Sequence, residues 1–210
     1  ILKSQRETSD ALTHVLLFGS ISFQGITDIT ESMKRISLGA ILNQHELLSI
    51  QSLLSVAARV KNFFRQSLKD DDTTGDSLNE KFQCIEPLST IAQEIRRCLP
   101  DNDTVADDAS PGLSHIRRQL KLSNGKIHEQ LNHIINSNAR SMLQDTLITM
   151  RGDRYCLPVK SEYRSSFPGM LHDQSATGST LFIEPASIVK LNNELKELEL
   201  KEQEEINKVF

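Results

Sequence analysis

The chain has no tryptophan, two tyrosines and three cysteines in 210 residues. Scarce aromatics argue against an aromatic-rich β-sandwich and suit helices packed through Leu and Ile. Cys84, Cys98 and Cys156 are odd in number, widely spaced and without a C-x-x-C pair. That pattern argues against a zinc site or a disulfide framework and points to a reducing cytoplasm. Nothing resembles a signal peptide, and no run approaches the ~20 apolar residues of a membrane span, so no membrane partner is expected. Positive charge is not in excess either: 24 Lys and Arg stand against 28 Asp and Glu, so there is no global nucleic-acid signature. An initiator Met is missing, and the chain stops at Phe210 inside a helical pattern. Both are expected of a segment excised from a longer protein.

Helical patterns come first. The spacing predicts a helix from Ser4 to Phe18 ended by Gly19, and another from Thr27 to Leu38 stopped by Gly39. Asn43 is set to cap a third, whose Leu47, Ile50, Leu54, Ala57, Val60 and Phe64 keep the spacing of one buried face. A polar loop is expected at 70–76, and a short helix at 88–98 after Pro87. From Ser110 and Pro111 the pattern lengthens. Leu113, Ile116, Leu120, Ile127, Leu131 and Ile134 recur at heptad-like spacing to about residue 140, with Asn124 as the polar seam position that sets register. Such a helix extends on the order of 40 Å.

Residues 146–184 switch to period two. Leu147–Met150 and Tyr155–Val159 flank a turn at 151–154, and Met170–Asp173 and Thr180–Ile183 bracket a second at 175–178. A small sheet of four strands follows, with Pro158 expected at an edge or a bulge. Helix resumes at 185–210 with a stripe of Ile188, Leu191, Leu195 and Leu198. The expected architecture is mainly α. A helical core (1–109) precedes an outgoing helix (110–145), a β tip (146–184) and a returning helix (185–210).

Charge is uneven along that plan. Residues 110–140 carry Arg117, Arg118, Lys121, Lys126 and Arg140 against Glu129 alone, whereas 1–109 hold eleven basic and sixteen acidic side chains. A basic helix beside an acidic body suits contact with a phosphate backbone. The plainer alternative is a solvated face whose cations pair with the glutamates of 190–205. In the β segment Arg151, Arg154, Lys160 and Arg164 are the first candidates for phosphate contact. No catalytic constellation and no metal set appears: His128 and His133 lie five apart, off the one-face spacing. Adjacent His172 and Asp173 should face opposite sides of a strand. The turn Ser175–Gly178 reads as a tight turn that could also meet a phosphate. Glu184 before Pro185 reads as a carboxylate favouring the start of the returning helix.

The block His172–Pro185, with Gln174, Ser175, Gly178 and Glu184, followed by Leu191-Asn192-Asn193-Glu194-Leu195, closely resembles the type-2 branch of the bacterial MutS family. Arg154–Lys160, Phe167-Pro168-Gly169, Gly25–Ile29 and Asp108–Leu113 fit the same pattern, so the resemblance spans nearly the whole chain. Thr177-Gly178-Ser179 stands where the pattern is nearer Ser-Gly-Ala. The resemblance implies a MutS-like helical core with long antiparallel lever helices and a small β clamp at the tip. It also implies an ATPase domain elsewhere, using ATP and Mg and forming a homodimer, and often a nuclease-like Smr domain. No G-x-x-x-x-G-K-[ST] occurs in this chain, so hydrolysis and cleavage are expected outside it. The partner so implied is branched or duplex DNA, in suppression of recombination, or a stalled ribosome. The alternative is a mechanical or protein-interaction lever without nucleic-acid contact.

Overall fold

Capping residues and apolar spacing set the helices of the first half of the chain in the computed structural model, which describes residues 2–67 and 76–210. The polar loop expected at 70–76 therefore lies, apart from Asp76, outside the described residues. The chain forms two units, one of the residues up to Ala109 and one of Ser110–Val209. Seven α-helices and one four-stranded antiparallel sheet are present among the described residues, so the fold is mainly α with a small sheet.

The first unit contains α1 (Leu2–Phe18), α2 (Thr30–Ser37), α3 (Gln44–Ser67), α4 (Asn79–Gln83) and α5 (Ser89–Cys98). Asn43 and Glu46 cap α3 reciprocally: Asn43 Oδ1 accepts from the Glu46 N–H at 2.9 Å, and Glu46 Oε2 accepts from the Asn43 N–H at 2.8 Å. Leu54, Val56, Val60 and Phe64 of α3 are buried, and Phe64 stacks on Phe82 of α4 at 4.7 Å. One expectation shifts and one helix was not expected. α2 starts at Thr30 because Asp28 Oδ1 takes both the Thr30 N–H and hydroxyl, at 2.9 and 2.6 Å. α4 has too few residues for a period to register.

The second unit opens with α6 (Pro111–Ile135), where Ser110 Oγ accepts from the Leu113 N–H at 3.0 Å and Pro111 occupies the first turn. The helix ends short of the expected residue 140. Ser137 accepts from the Ala139 N–H, and the chain tightens into a 3₁₀ turn over Asn138–Met142. β1 (Thr149–Arg151) and β2 (Arg154–Lys160) join through Gly152-Asp153, both left-handed with φ of 54° and 59°, as a two-residue hairpin of right-handed twist requires. β3 (Gly169–Gln174) and β4 (Thr180–Pro185) complete the order β1-β2-β4-β3. A 3₁₀ turn, Ala186–Ile188, leads into α7 (Val189–Val209).

Pro158 corrects an expectation, because it sits in an interior strand. Its carbonyl accepts from the Gln144 N–H at 2.9 Å, on the side that β1 has already left beyond Cys156. The missing N–H therefore falls where no strand asks for it. The bulge lies in β3 instead: Leu171 pairs with Ile183 and Asp173 with Phe182, leaving His172 as the extra residue.

Alternation sorts the sheet into two faces. Leu157, Val159, Leu181 and Ile183 pack with Ile127, Leu131 and Ile135 of α6 and with Ile188 and Leu195 to form the core. α6 and α7 run antiparallel, since Ser110 meets Glu205, Arg117 meets Glu202, and Asn124 and Asn192 both meet Tyr155.

Candidate nucleic-acid interface

The other face of the sheet is polar and centred on a buried carboxylate. Glu184 is 1% exposed. Its Oε1 accepts from Asn192 Nδ2 at 2.8 Å and from Arg154 at 3.3 Å, and its Oε2 lies 2.6 Å from His172 Nε2. Asn192, also 1% exposed, does two jobs. Its Oδ1 accepts from the Tyr155 N–H and its Nδ2 donates to the Tyr155 carbonyl, each at 3.3 Å. The side-chain amide thus stands in for a strand partner where β4 has ended. The Tyr155 hydroxyl donates to Asn124 Oδ1 at 2.9 Å, which ties the seam position of α6 to β2.

The bulge makes this possible. By inserting His172 it aims two successive side chains at partners on one face, His172 at Glu184 and Asp173 at Arg151 (3.1 Å). The Arg151 guanidinium lies 3.8 Å over the Phe182 ring, where its charge meets the negative face of the aromatic. Gly169 admits the close pairing of β3 and β4, since a Cβ there would meet the Glu184 carbonyl at 2.3 Å. Cys156 is fully buried on this face. Burial first, and the Glu184 carboxylate second, push its thiol up to about 11.

Two sequence expectations change accordingly. Glu184 is held by Asn192, Arg154 and His172 rather than by the start of the returning helix. Arg151 and Arg154, first candidates for phosphate contact, also pair within the sheet, Arg151 with Asp173 and Phe182 and Arg154 with Glu184.

A second cluster forms at one end of the sheet. Lys160 donates to the Ser141 carbonyl at 3.0 Å, which sets it beside Arg140. The Ser161 N–H donates to the Ser179 carbonyl at 3.0 Å, and the Arg164 N–H to the Ser161 carbonyl at 3.2 Å. These bonds bring residues 140, 160 and 164 to the same end of the sheet as Ser161 and Ser179, and Ser161, Ser165, Thr177 and Ser179 are exposed. The Arg140 and Arg164 side chains are exposed, with no ion pair among the described residues. In the turn itself Gly178 is left-handed (φ 72°), its N–H donates to the Ser175 carbonyl at 2.8 Å, and Ser175 Oγ accepts from the Thr180 N–H at 3.1 Å. Gln174 is exposed at the end of β3.

On α6 the candidates divide. Arg117 pairs with Glu202 at 2.6 Å, as the solvated-face alternative expects, while Arg118, Lys121 and Lys126 are exposed. Sequence reasoning counted Arg140 only among the cations of the basic helix, without singling it out, and missed Asn192 as a hub. Asn192 did leave a signal, because it lies on the apolar stripe between Ile188 and Leu195, where a polar residue needs a buried partner.

No family model matches the chain. Among curated proteins it is similar to "Endonuclease MutS2" of Lachnoclostridium phytofermentans, 52% identical over all of this chain and 27% of the relative. It is 50% identical to the protein so named in Agathobacter rectalis, over 98% of this chain and 26% of the relative. With that of Lachnospira eligens it shares 45% over 97% of this chain and 25% of the relative. The chain belongs to the MutS2 family. It spans about a quarter of the length of the curated MutS2 relatives it matches. The shared stretch takes in both units, and so both the Glu184 hub and the Arg140–Lys160–Arg164 end. No helix of the described residues is long and apolar enough to cross a membrane.

Proposed function

We propose that this chain is the core, lever and clamp portion of a MutS2-family protein and grips nucleic acid by its phosphate backbone, without catalysis of its own. In this reading α6 and α7 are the lever and the sheet is the clamp. ATP and Mg are bound, and the homodimer is made, by an ATPase domain outside this chain. The target is branched or duplex DNA or the RNA of a stalled ribosome. The observation that carries the reading is the end of the sheet to which Arg140, Lys160 and Arg164 are brought, beside exposed hydroxyls. Phosphate recognition needs cations not already neutralised, with hydroxyl and backbone donors around them. The Glu184 hub ties β2, β3, β4 and α7 together at the opposite end of the strands, and Arg118 is a further exposed cation on α6.

Anisotropy titrations of the 210-residue chain against a branched DNA and a structured RNA, at several salt concentrations, test it. Replacing Arg140, Lys160 and Arg164 together by Gln should weaken binding and lower the slope of log K against log salt by about 0.7–0.9 for each phosphate no longer neutralised. An unchanged slope sinks this interface. The engagement of Arg117, Arg151 and Arg154 in internal pairs favours a second reading, a mechanical lever without nucleic-acid contact. It predicts no salt-dependent binding in either titration.

A further inference from the structure

The Arg151 guanidinium on the polar face of the sheet is held more completely than an ion pair requires. From β1 it reaches past β2 to Phe182 of β4, with Cζ 3.8 Å from the ring centroid, close enough for flat stacking. Its Nε lies 3.1 Å from Asp173 of β3, and Nη1 donates to the Met150 carbonyl at 2.8 Å. One face and two edge nitrogens are thus fixed, yet 35% of the side chain stays open to solvent. Pairing with Asp173 also offsets the charge, so little of it is left for a phosphate. What the arrangement does leave is a rigid, planar outer face.

We infer that the outer face of Arg151 is a stacking platform for an unpaired nucleobase. The inference rests on the nucleic-acid reading above and adds which strands the sheet takes, those with bases outside a duplex. Bases stack on arginine planes as they do on aromatic rings, and sequence matters little because every base has a π-face. A base inside a duplex already stacks on its neighbours and has no free face to offer. By strand alternation Lys160 and Thr180, a cross-strand pair, share this face with Phe182, roughly 7 Å further along. A strand whose base lies on Arg151 can therefore run its backbone toward Lys160 and the cations of that end. Phe182 supports the plane from below, and Asp173 keeps it from swinging away.

Anisotropy titrations of the full chain against a fully paired DNA duplex, and against the same duplex with a single-stranded gap, test it. The parent should bind the gapped probe at least about fivefold more tightly, the smaller end of what stacking one base contributes. Arg151→Lys keeps the charge but loses the plane, and Phe182→Leu removes its support. Both variants should bind the duplex as the parent does and lose the preference for the gap. A fluorescent purine analogue placed in the gap should be quenched by the parent and not by Arg151→Lys. A parent without the preference, or a preference that survives Arg151→Lys, overturns the inference. If neither probe binds, the proposed function falls as well. If the duplex binds and the gap adds nothing, only the stacking platform falls.

Discussion

Apart from the buried His14–Asp76 pair of the first unit, the two units use their polar side chains in different ways. In the first, side chains on α3 reach outward to the carbonyls of neighbouring segments. Arg59 donates to Ser22 and Gln24, Lys61 to Phe82 and Gln83, and Gln44 to Asp101 and Thr104, at 2.9–3.3 Å. Each tether is single, and most are exposed, so losing one leaves the others as they were. In the second, Glu184 and Asn192 point inward and share partners from β2, β3 and α7. Loss of either buried member, Glu184 or Asn192, strands the other where water does not reach it. Exposed tethers fix loops one at a time, while a buried hub fixes the mutual placement of several elements at once. The second arrangement is the one that carries the proposed gripping surface.

The largest expected effect comes from breaking the hub. Glu184→Ala leaves Arg154, His172 and Asn192 facing an empty site, and removal of one partner from a buried charged set costs about 3–5 kcal/mol. Denaturant melts of the chain measure it. Asn192→Ala should cost a comparable amount, since it strands the carboxylate and both backbone groups of Tyr155. The double variant should lose much less than the sum, whereas Arg59→Ala and Gln44→Ala should add within about 0.5 kcal/mol. Additive losses for Glu184 and Asn192 would erase the contrast between the units.

Cys156 gives a smaller effect with a defined pH window. Its thiol is ordinarily near 9 and is pushed to about 11 here, chiefly by burial. The folded value is the higher, so below about pH 9 the group is neutral in both states and the contribution is fully present. As pH rises from about 9 to 11 the unfolded chain ionises first, and the contribution, on the order of 2 kcal/mol, is lost. Cys156→Ala should lack that part of the alkaline decline. Thiol labelling reads the same difference at neutral pH. Exposed Cys84 should react at once, and Cys156 only when the second unit opens. Equal rates would mean that the polar face is open to water.

How much of this was legible depends on the range of the information. Local signals read well: the Asn43 and Ser110 caps, the apolar faces of α3 and α6, and the change to period two that marks the sheet. The helix over Asn79–Gln83 was too short to register, and the end of α6 was set by Ser137, which no period announces. The site was harder, because its pairings span long separations. Arg154 meets Glu184 thirty residues on, and does so only because β2 pairs with β4 in one register and a bulge turns His172 inward. One strand read alone assigns Arg154 to solvent. The family resemblance pointed at Glu184 and Asn192 as parts of motifs without saying that they touch. Only the fold brings them together.

The smallest effect sharpens the contrast from the side of the first unit. Asp10 accepts from both the Ser77 hydroxyl (2.6 Å) and the Ser77 N–H (2.9 Å), and these bonds, the hydroxyl foremost, hold its carboxyl below the usual range. A depressed folded value means stability that is present above the ordinary carboxylate pKa and is lost as pH falls through the lowered one. Ser77→Ala removes the larger bond. The variant should therefore be slightly less stable than the parent at neutral pH and match it in acid, once pH has fallen below the lowered value and Asp10 is protonated in both. Urea midpoints at the two pH values decide it. A gap that persists in acid would show that Ser77 acts through packing rather than through the carboxylate. The single-tether account of the first unit would then fail at that position.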